Sequence, residues 1–221
     1  MKKKIVILGA GESGVGAALL ARLQGFEVFV SDKQLISPQH VKELSGQGID
    51  YEEGVHTLTK ILSADLVVKS PGIPENNEVV QLVREKGIEL ISEIEFAFRY
   101  KGSSNIVAIT GSNGKTTTTA LAAHIFKTAG RDSAAVGNIG FSFARQVATN
   151  PKEIYIIEVS SFQLDDIITF RPDIAVLTNI TEDHLDRYNY QFENYIKSKF
   201  NIIKNQKAGD VFIYNADDEV K

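Results

Sequence analysis

The chain of 221 residues contains no cysteine, which excludes disulfides, zinc–thiolate sites and thiol nucleophiles. It has no basic excess either. The formal net charge is −4 and no Lys/Arg-rich block follows the three lysines at positions 2–4, which argues against a nucleic-acid surface. Small acidic or phosphorylated ligands need only local positive sites and are compatible with this balance. Long apolar runs are also missing. The basic start and residues 5–8 resemble the opening of a signal peptide, but Gly9, Gly11 and Glu12 interrupt it too early, and no other run approaches a membrane span. A cytoplasmic protein with no nucleic-acid or membrane partner is expected. With 43% hydrophobic residues the chain can bury a real core, and its length suits two small domains.

The stretch that organises the rest is IVAITGSNGKTTTT at residues 106–119. Residues 106–109 are β-friendly and predict a buried strand. Gly111 and Gly114 then let the backbone turn its N–H groups toward one oxyanion, with Ser112 and Asn113 between them. Lys115 supplies a point charge for phosphates, and Thr116, followed by Thr117, offers a hydroxyl to Mg²⁺ at a helix start whose dipole favours negative charge. The strict P-loop pattern has a further glycine where this chain has Ile109, so the match is to the shorter Gly-x-x-Gly-Lys-Thr.

Residues 4–32 read as strand, glycine turn, helix and strand, with a Gly-x-Gly-x-x-Gly pattern at Gly9, Gly11 and Gly14 and an acidic Asp32 closing the second strand. Glycines at a helix N-terminus accept any diphosphate, so a dinucleotide, another diphosphate ligand and a structural turn all remain open. Strand candidates at 48–51, 65–69 and 88–91 and a helix over 78–86 continue a βα rhythm, which implies a doubly wound parallel sheet with its ligand beyond the carboxyl strand ends. Ser70, Pro71 and Gly72 fall on that edge, as a simple turn or as a ligand loop. A helix over 92–100 leads into the small polar stretch 101–105. The expected organisation is therefore a Rossmann-like α/β domain at 1–93, a linker region at 94–105 and a P-loop-type α/β domain at 106–221.

In the second half, strands at 134–136, 153–159 and 173–178 end near Asn138, Glu158 and His184. A parallel sheet sets those ends beside residues 111–116, so that a lysine, a hydroxyl, a carboxylate and a histidine converge. Projection of a helix over 190–204 gives one apolar face of Phe192, Tyr195, Ile196, Phe200, Ile202 and Ile203 with Lys199 at its centre, while Lys197 and Lys204 point outward. Such a lysine either snorkels or is driven toward its neutral, nucleophilic form, in which it can take up CO₂ and become an anionic, oxygen-bearing metal ligand.

These segments together resemble the Mur ligases, ATP-dependent amide-forming enzymes of peptidoglycan synthesis. The likeness is carried by TGSNGKTT at 110–117, GNIG at 137–140, EVSSFQL at 158–164 and NITEDHLDRY at 179–188, with Lys199 where the family has its carbamylated lysine. The resemblance implies that Ser13, Gly14, Asp32, Lys33, Ser70, Pro71 and Gly72 surround a uridine diphosphate, and that Asn138, Ser160, Gln163 and His184 face the muramoyl-alanine end. It implies ATP and Mg²⁺, with Lys115, Glu158, His184 and Lys199 as catalytic residues. Thr116 and Glu158 would hold one metal ion, and His184 with carbamylated Lys199 a second. The implied reaction passes through an acyl phosphate and adds D-glutamate to UDP-N-acetylmuramoyl-L-alanine by a monomeric cytoplasmic enzyme. The family's C-terminal domain has no counterpart here, so a truncated chain that keeps UDP-substrate recognition but does not form the amide is expected. Two alternatives stand beside this reading: an NAD(H)-sensing, ATP-binding regulatory module, and a family member adding a different amino acid.

Overall fold

A computed structural model describes residues 2–217. The first half alternates β1 (Lys4–Leu8), α1 (Glu12–Leu23), β2 (Glu27–Asp32), α2 (Pro38–Gly46), β3 (Asp50–Glu53), α3 (Leu58–Ile61), β4 (Leu66–Lys69), α4 (Glu78–Glu85) and β5 (Glu89–Ser92). All five strands are parallel, in the order β3-β2-β1-β4-β5. The β-branched runs of β1 and β4 are buried on both faces, as the centre of a helix-covered parallel sheet requires. Residues 94–105 are not an open tether: α5 (Glu93–Phe98) takes up 94–98, with residues 93–97 buried.

The second half runs through β6 (Asn105–Thr110), α6 (Lys115–Thr128), β7 (Ser133–Gly137), α7 (Phe143–Thr149), β8 (Ile154–Glu158), α8 (Ser161–Leu164), β9 (Ile174–Leu177), α9 (Phe192–Phe200) and β10 (Val211–Tyr214), with short 3₁₀ turns at Leu185–Tyr188 and Asn201–Ile203. Its sheet is again parallel, in the order β10-β9-β6-β8-β7. The expected α/β architecture is observed. The domain reading that extended to residue 221 includes 218–221, which lie outside the described residues. No helix among the described residues is long and apolar enough to cross a membrane.

One hydrophobic cluster joins the two halves, from Ile5 and Leu20 through Phe96 to Phe143, Tyr155 and Phe170. Helix α1 makes this possible because its buried face is built of Gly14, Gly16, Ala17, Ala18 and Ala21. A Cβ on Gly16 would lie 1.9 Å from Ser142 Oγ, so only glycine lets α1 approach the start of α7. Polar clamps reinforce the seam. Arg145 pairs with Glu12 and Glu43, and buried Asp166 forms an ion pair with Lys69 at 3.0 Å and accepts from Arg84 at 2.5 Å. Glu95 Oε2 takes the three successive N–H groups of Ile168, Thr169 and Phe170. These contacts hold the carboxyl edges of both sheets in one fixed relation.

Candidate active site at the sheet edges

In each sheet the glycine loop follows the strand where the winding reverses: β1 lies between β2 and β4, and β6 lies between β8 and β9. Parallel sheets open a crevice for ligands at such points. In the first sheet a cavity of about 450 Å³ is lined by Gly9, Gly11, Ser13, Asp32, Lys33, Ser70, Pro71 and Gly72. Helix α1 begins at Gly11 without a side-chain cap, which leaves its first-turn N–H groups to whatever enters. Gly14 does not line the cavity. A Cβ there would lie 1.9 Å from Gly9 O, so its role is close packing of helix against strand. Asp32 is a clamp as well as a wall: its two oxygens accept from Ala10 N at 2.7 Å and Gln34 N at 2.8 Å, which fixes the glycine turn.

The second cavity, of about 250 Å³, is lined by Lys115, Asn138, Ser160, His184 and Lys199, with Asp183, Arg187 and Tyr195, which the sequence did not single out. Pro71 and Gly72 line it too, and so belong to both cavities. Arg187 ties the halves together here, since its guanidinium lies 4.3 Å over the Phe162 ring and donates to Pro71 O at 3.3 Å. Gln163 faces inward instead. Its Oε1 accepts from Ser160 N at 3.0 Å in a capping box that starts α8, and the side chain is 1% exposed.

The phosphate loop is held from below. Ser112 N and Asn113 N donate to Asn179, and Ser112 Oγ contacts Thr181 O and the Tyr195 hydroxyl. Gly114 adopts φ 82° as the N-cap of α6, with no side-chain cap on the helix. Lys115 folds over the loop and donates to Gly111 O at 2.8 Å and Ser112 O at 2.9 Å. Thr117 stands exposed on the first turn of α6.

Lys199 is the electrostatic anomaly that its helical position suggested. It is 1% exposed, donates to Gly111 O at 2.8 Å and lies 4.5 Å over the Tyr195 ring, and it makes no ion pair among the described residues. Burial, and then the neighbouring Lys115 charge, push its pKa from 10.5 down to about 7 against the pull of Asp183 and Asp165. Both effects favour the neutral amine.

The sequence-derived metal set divides in two. Thr116 Oγ1 donates to Glu158 Oε2 at 2.8 Å, while Asn138 Nδ2 donates to Glu158 Oε1 at 2.9 Å and so orients the carboxylate. One carboxylate and one hydroxyl beside a phosphate loop suit Mg²⁺, which takes hard oxygens and keeps phosphates and waters among its ligands. Asn138 thus serves the carboxylate besides facing the cavity. His184 and Lys199 line the smaller cavity, Thr116 and Glu158 do not, and no group of three or more His, Asp or Glu among the described residues is arranged to hold a metal. An amine donating to a carbonyl is not a magnesium ligand; it becomes one only with carboxylate oxygens added.

Two family models match this chain: the Mur ligase MurD-like N-terminal domain over residues 3–92 and the Mur ligase middle domain over residues 109–221. Among curated proteins, the UDP-N-acetylmuramoylalanine–D-glutamate ligase of Cytophaga hutchinsonii is 55% identical over 221 residues, covering 100% of this chain and 49% of the relative. The Bacteroides fragilis protein of the same name is 56% identical over 218 residues, covering 99% and 49%. The chain thus spans about half the length of these relatives. Among solved structures, a UDP-N-acetylmuramate:L-alanyl-γ-D-glutamyl-meso-diaminopimelate ligase from Neisseria meningitides superposes with a TM-score of 0.66 at 23% identity, covering 100% of this chain and 73% of that one. A UDP-N-acetylmuramate–alanine ligase from Thermotoga maritima gives 0.62 at 22% identity, covering 99% and 50%. With both halves matched by models of one family and the same fold found in its solved members, the chain belongs to the Mur ligases.

Proposed function

We propose that this chain is the UDP-substrate- and nucleotide-binding part of an ATP-dependent ligase that joins D-glutamate to UDP-N-acetylmuramoyl-L-alanine in peptidoglycan precursor synthesis. The observation that carries the reading is the sharing of Pro71 and Gly72 by the two cavities. A ligand with a diphosphate at one end and a carboxylate at the other can follow that path from the Gly9–Gly11 turn to the lysines at 115 and 199. A module that senses NAD(H) in one half and binds ATP in the other does not call for a continuous path between the two cavities. The names of the Cytophaga and Bacteroides relatives support the choice of D-glutamate.

The domain organisation proposed is a UDP-binding unit over 1–93, a connection over 94–105 and a nucleotide-binding unit from 106 onward. Ser13, Lys33 and Ser70 line the diphosphate end, with Asp32 holding the turn and Gly14 setting its distance from α1. Asn138, Ser160 and His184 face the muramoyl-alanine end, and Gln163 acts through the capping box that orients Ser160. The uncapped first turn of α6, residues 111–117, cradles the ATP phosphates. Lys115 leaves its loop carbonyls to meet the transferring phosphoryl group, where positioning and cations account for most of the rate. Thr116 and Glu158 would hold Mg²⁺, which would neutralise charge on the phosphates when bound. Carbamylation of Lys199, in which the neutral amine takes up CO₂ and releases a proton, would give an anion that neutralises Lys115 and that, with His184, would offer oxygen and nitrogen to a second ion. We assign the protein to the cytoplasm, where such soluble nucleotide precursors are made, and to a monomeric state.

Calorimetric titration tests the reading. The chain is expected to bind UDP and to show no heat with NADH. Saturable NADH binding without UDP binding would replace it with the regulatory alternative.

A further inference from the structure

His56 lines the larger cavity, and its neighbours determine which ring nitrogen carries the proton. Its Nδ1 lies 2.7 Å from Ser31 Oγ, and the same hydroxyl lies 2.7 Å from Glu52 Oε1. Glu52 Oε1 also accepts the Thr57 N–H at 2.7 Å. Burial works to raise the Glu52 pKa, but the bonds from Thr57 and Ser31 and the charge of Lys60 outweigh it, so the carboxylate is ionised and can only accept. Ser31 has one hydroxyl proton. It goes to Glu52, because two oxygens at 2.7 Å with no hydrogen between them would repel. Ser31 Oγ must then accept from His56, which puts the imidazole proton on Nδ1. Burial, helped by Lys33 and opposed by Asp32 and Glu52, lowers the His56 pKa and favours the neutral ring. Nε2 is left with a lone pair and no hydrogen-bond partner among the described residues.

We propose that His56 Nε2 is a base-reading acceptor that takes a hydrogen bond from the imide N–H of a uracil ring, with Ser31 and Glu52 as the positioning residues that lock the accepting tautomer. The inference rests on the reading of this cavity as a uridine diphosphate site and names the residues that select the base. Uracil carries a hydrogen on its ring N3. Cytosine has a bare lone pair there, which would face the Nε2 lone pair. The cavity therefore discriminates between two ligands that share the ribose and diphosphate, so the glycine turn and Lys33 cannot account for the choice.

Two measurements test this on the 221-residue chain. In ¹⁵N-resolved NMR of the wild-type protein at pH 7.5, His56 is expected to show a protonated Nδ1 and an unprotonated Nε2. The reverse tautomer overturns the proposal and needs no variant to reveal it. In titrations with UDP and CDP, the wild type is expected to prefer UDP by about tenfold, the size of one hydrogen-bond mismatch. His56→Ala should lose most of that preference, Ser31→Ala should weaken it with His56 still present, and His56→Gln should also lose it, because a carboxamide can turn to present its oxygen to uracil or its NH₂ to cytosine. Each variant's thermal melt reports its folding. Undiminished UDP preference in folded His56→Ala sinks the role of His56 and leaves the uridine site standing. Absence of UDP binding to the wild type removes both.

Discussion

Glu93 offers a quantitative test of how the two halves are joined. It is the first residue of α5, fully buried against α7, and its Oε1 accepts the Ala144 N–H at 2.5 Å. Burial raises its pKa from 4.5 to about 7; the Ala144 N–H and the Ser142 hydroxyl oppose the rise, and the Glu12 charge adds to it. Between these values the folded chain keeps a proton that the unfolded chain has released. The stabilising contribution is therefore fully present below pH 4.5 and is lost as pH rises through about 7. At about 1.4 kcal/mol per pH unit, the carboxylate costs the fold about 3 kcal/mol at pH 8 relative to its protonated form. Glu93→Gln keeps an acceptor for Ala144 and removes the titration. In urea unfolding at pH 5, 6, 7 and 8, the variant is expected to exceed the parent by less than about 1 kcal/mol at pH 5 and by about 3 kcal/mol at pH 8. Parallel pH profiles for the two proteins, or a variant less stable at pH 8, would refute the reasoning.

Three further outcomes follow from the geometry. Gly111 has φ 146°, and a Cβ there would lie 1.9 Å from Thr178 Oγ1; Gly111→Ala should displace the loop, lower the melting temperature and weaken ADP binding, and an unchanged melt would contradict the close approach. Asp166→Asn leaves Lys69, which is 3% exposed, with Glu75 as its remaining carboxylate; about 3 kcal/mol of stability should be lost, as read by denaturant midpoint. Lys115→Met removes the mobile charge over the loop and should weaken ADP binding about tenfold or more while leaving UDP binding unaltered, so equal losses for both ligands in titration would count against separate sites.

The parts of the fold legible in the sequence are those encoded locally. The apolar runs of β1 and β6 lead directly into glycines, and burial on both faces makes these runs and that of β8 continuous rather than alternating. Lys199 was legible because a helix has a fixed period, and the projection that centred it among Tyr195, Ile196 and Phe200 agrees with its burial. The β3 strand begins at Asp50, two residues after the start of the stretch assigned from sequence, because its edge position leaves it with little apolar signal. Long-range pairing was not legible. The Ser160-x-x-Gln163 spacing of a capping box was the one local sign that Gln163 turns back on α8 rather than facing the cavity, whereas Asp32 gives no sign that both of its oxygens are committed to backbone N–H groups. Arg187, Arg145 and Asp166 look like ordinary surface charges until packing of the first half against the second brings their partners within reach. Likewise, His56 becomes informative only when β2 and β3 place Ser31 and Glu52 beside one another.

The central claim is that one ligand runs from the glycine turn of the first sheet, past Pro71 and Gly72, to the lysines of the second. A crystal structure of this chain with UDP-N-acetylmuramoyl-L-alanine tests it most directly. The account requires the diphosphate against residues 9–13 and the terminal carboxylate in the cavity lined by Lys115, Asn138, His184 and Lys199. A diphosphate bound on the 111–116 loop, or a carboxylate directed away from both lysines, would contradict it.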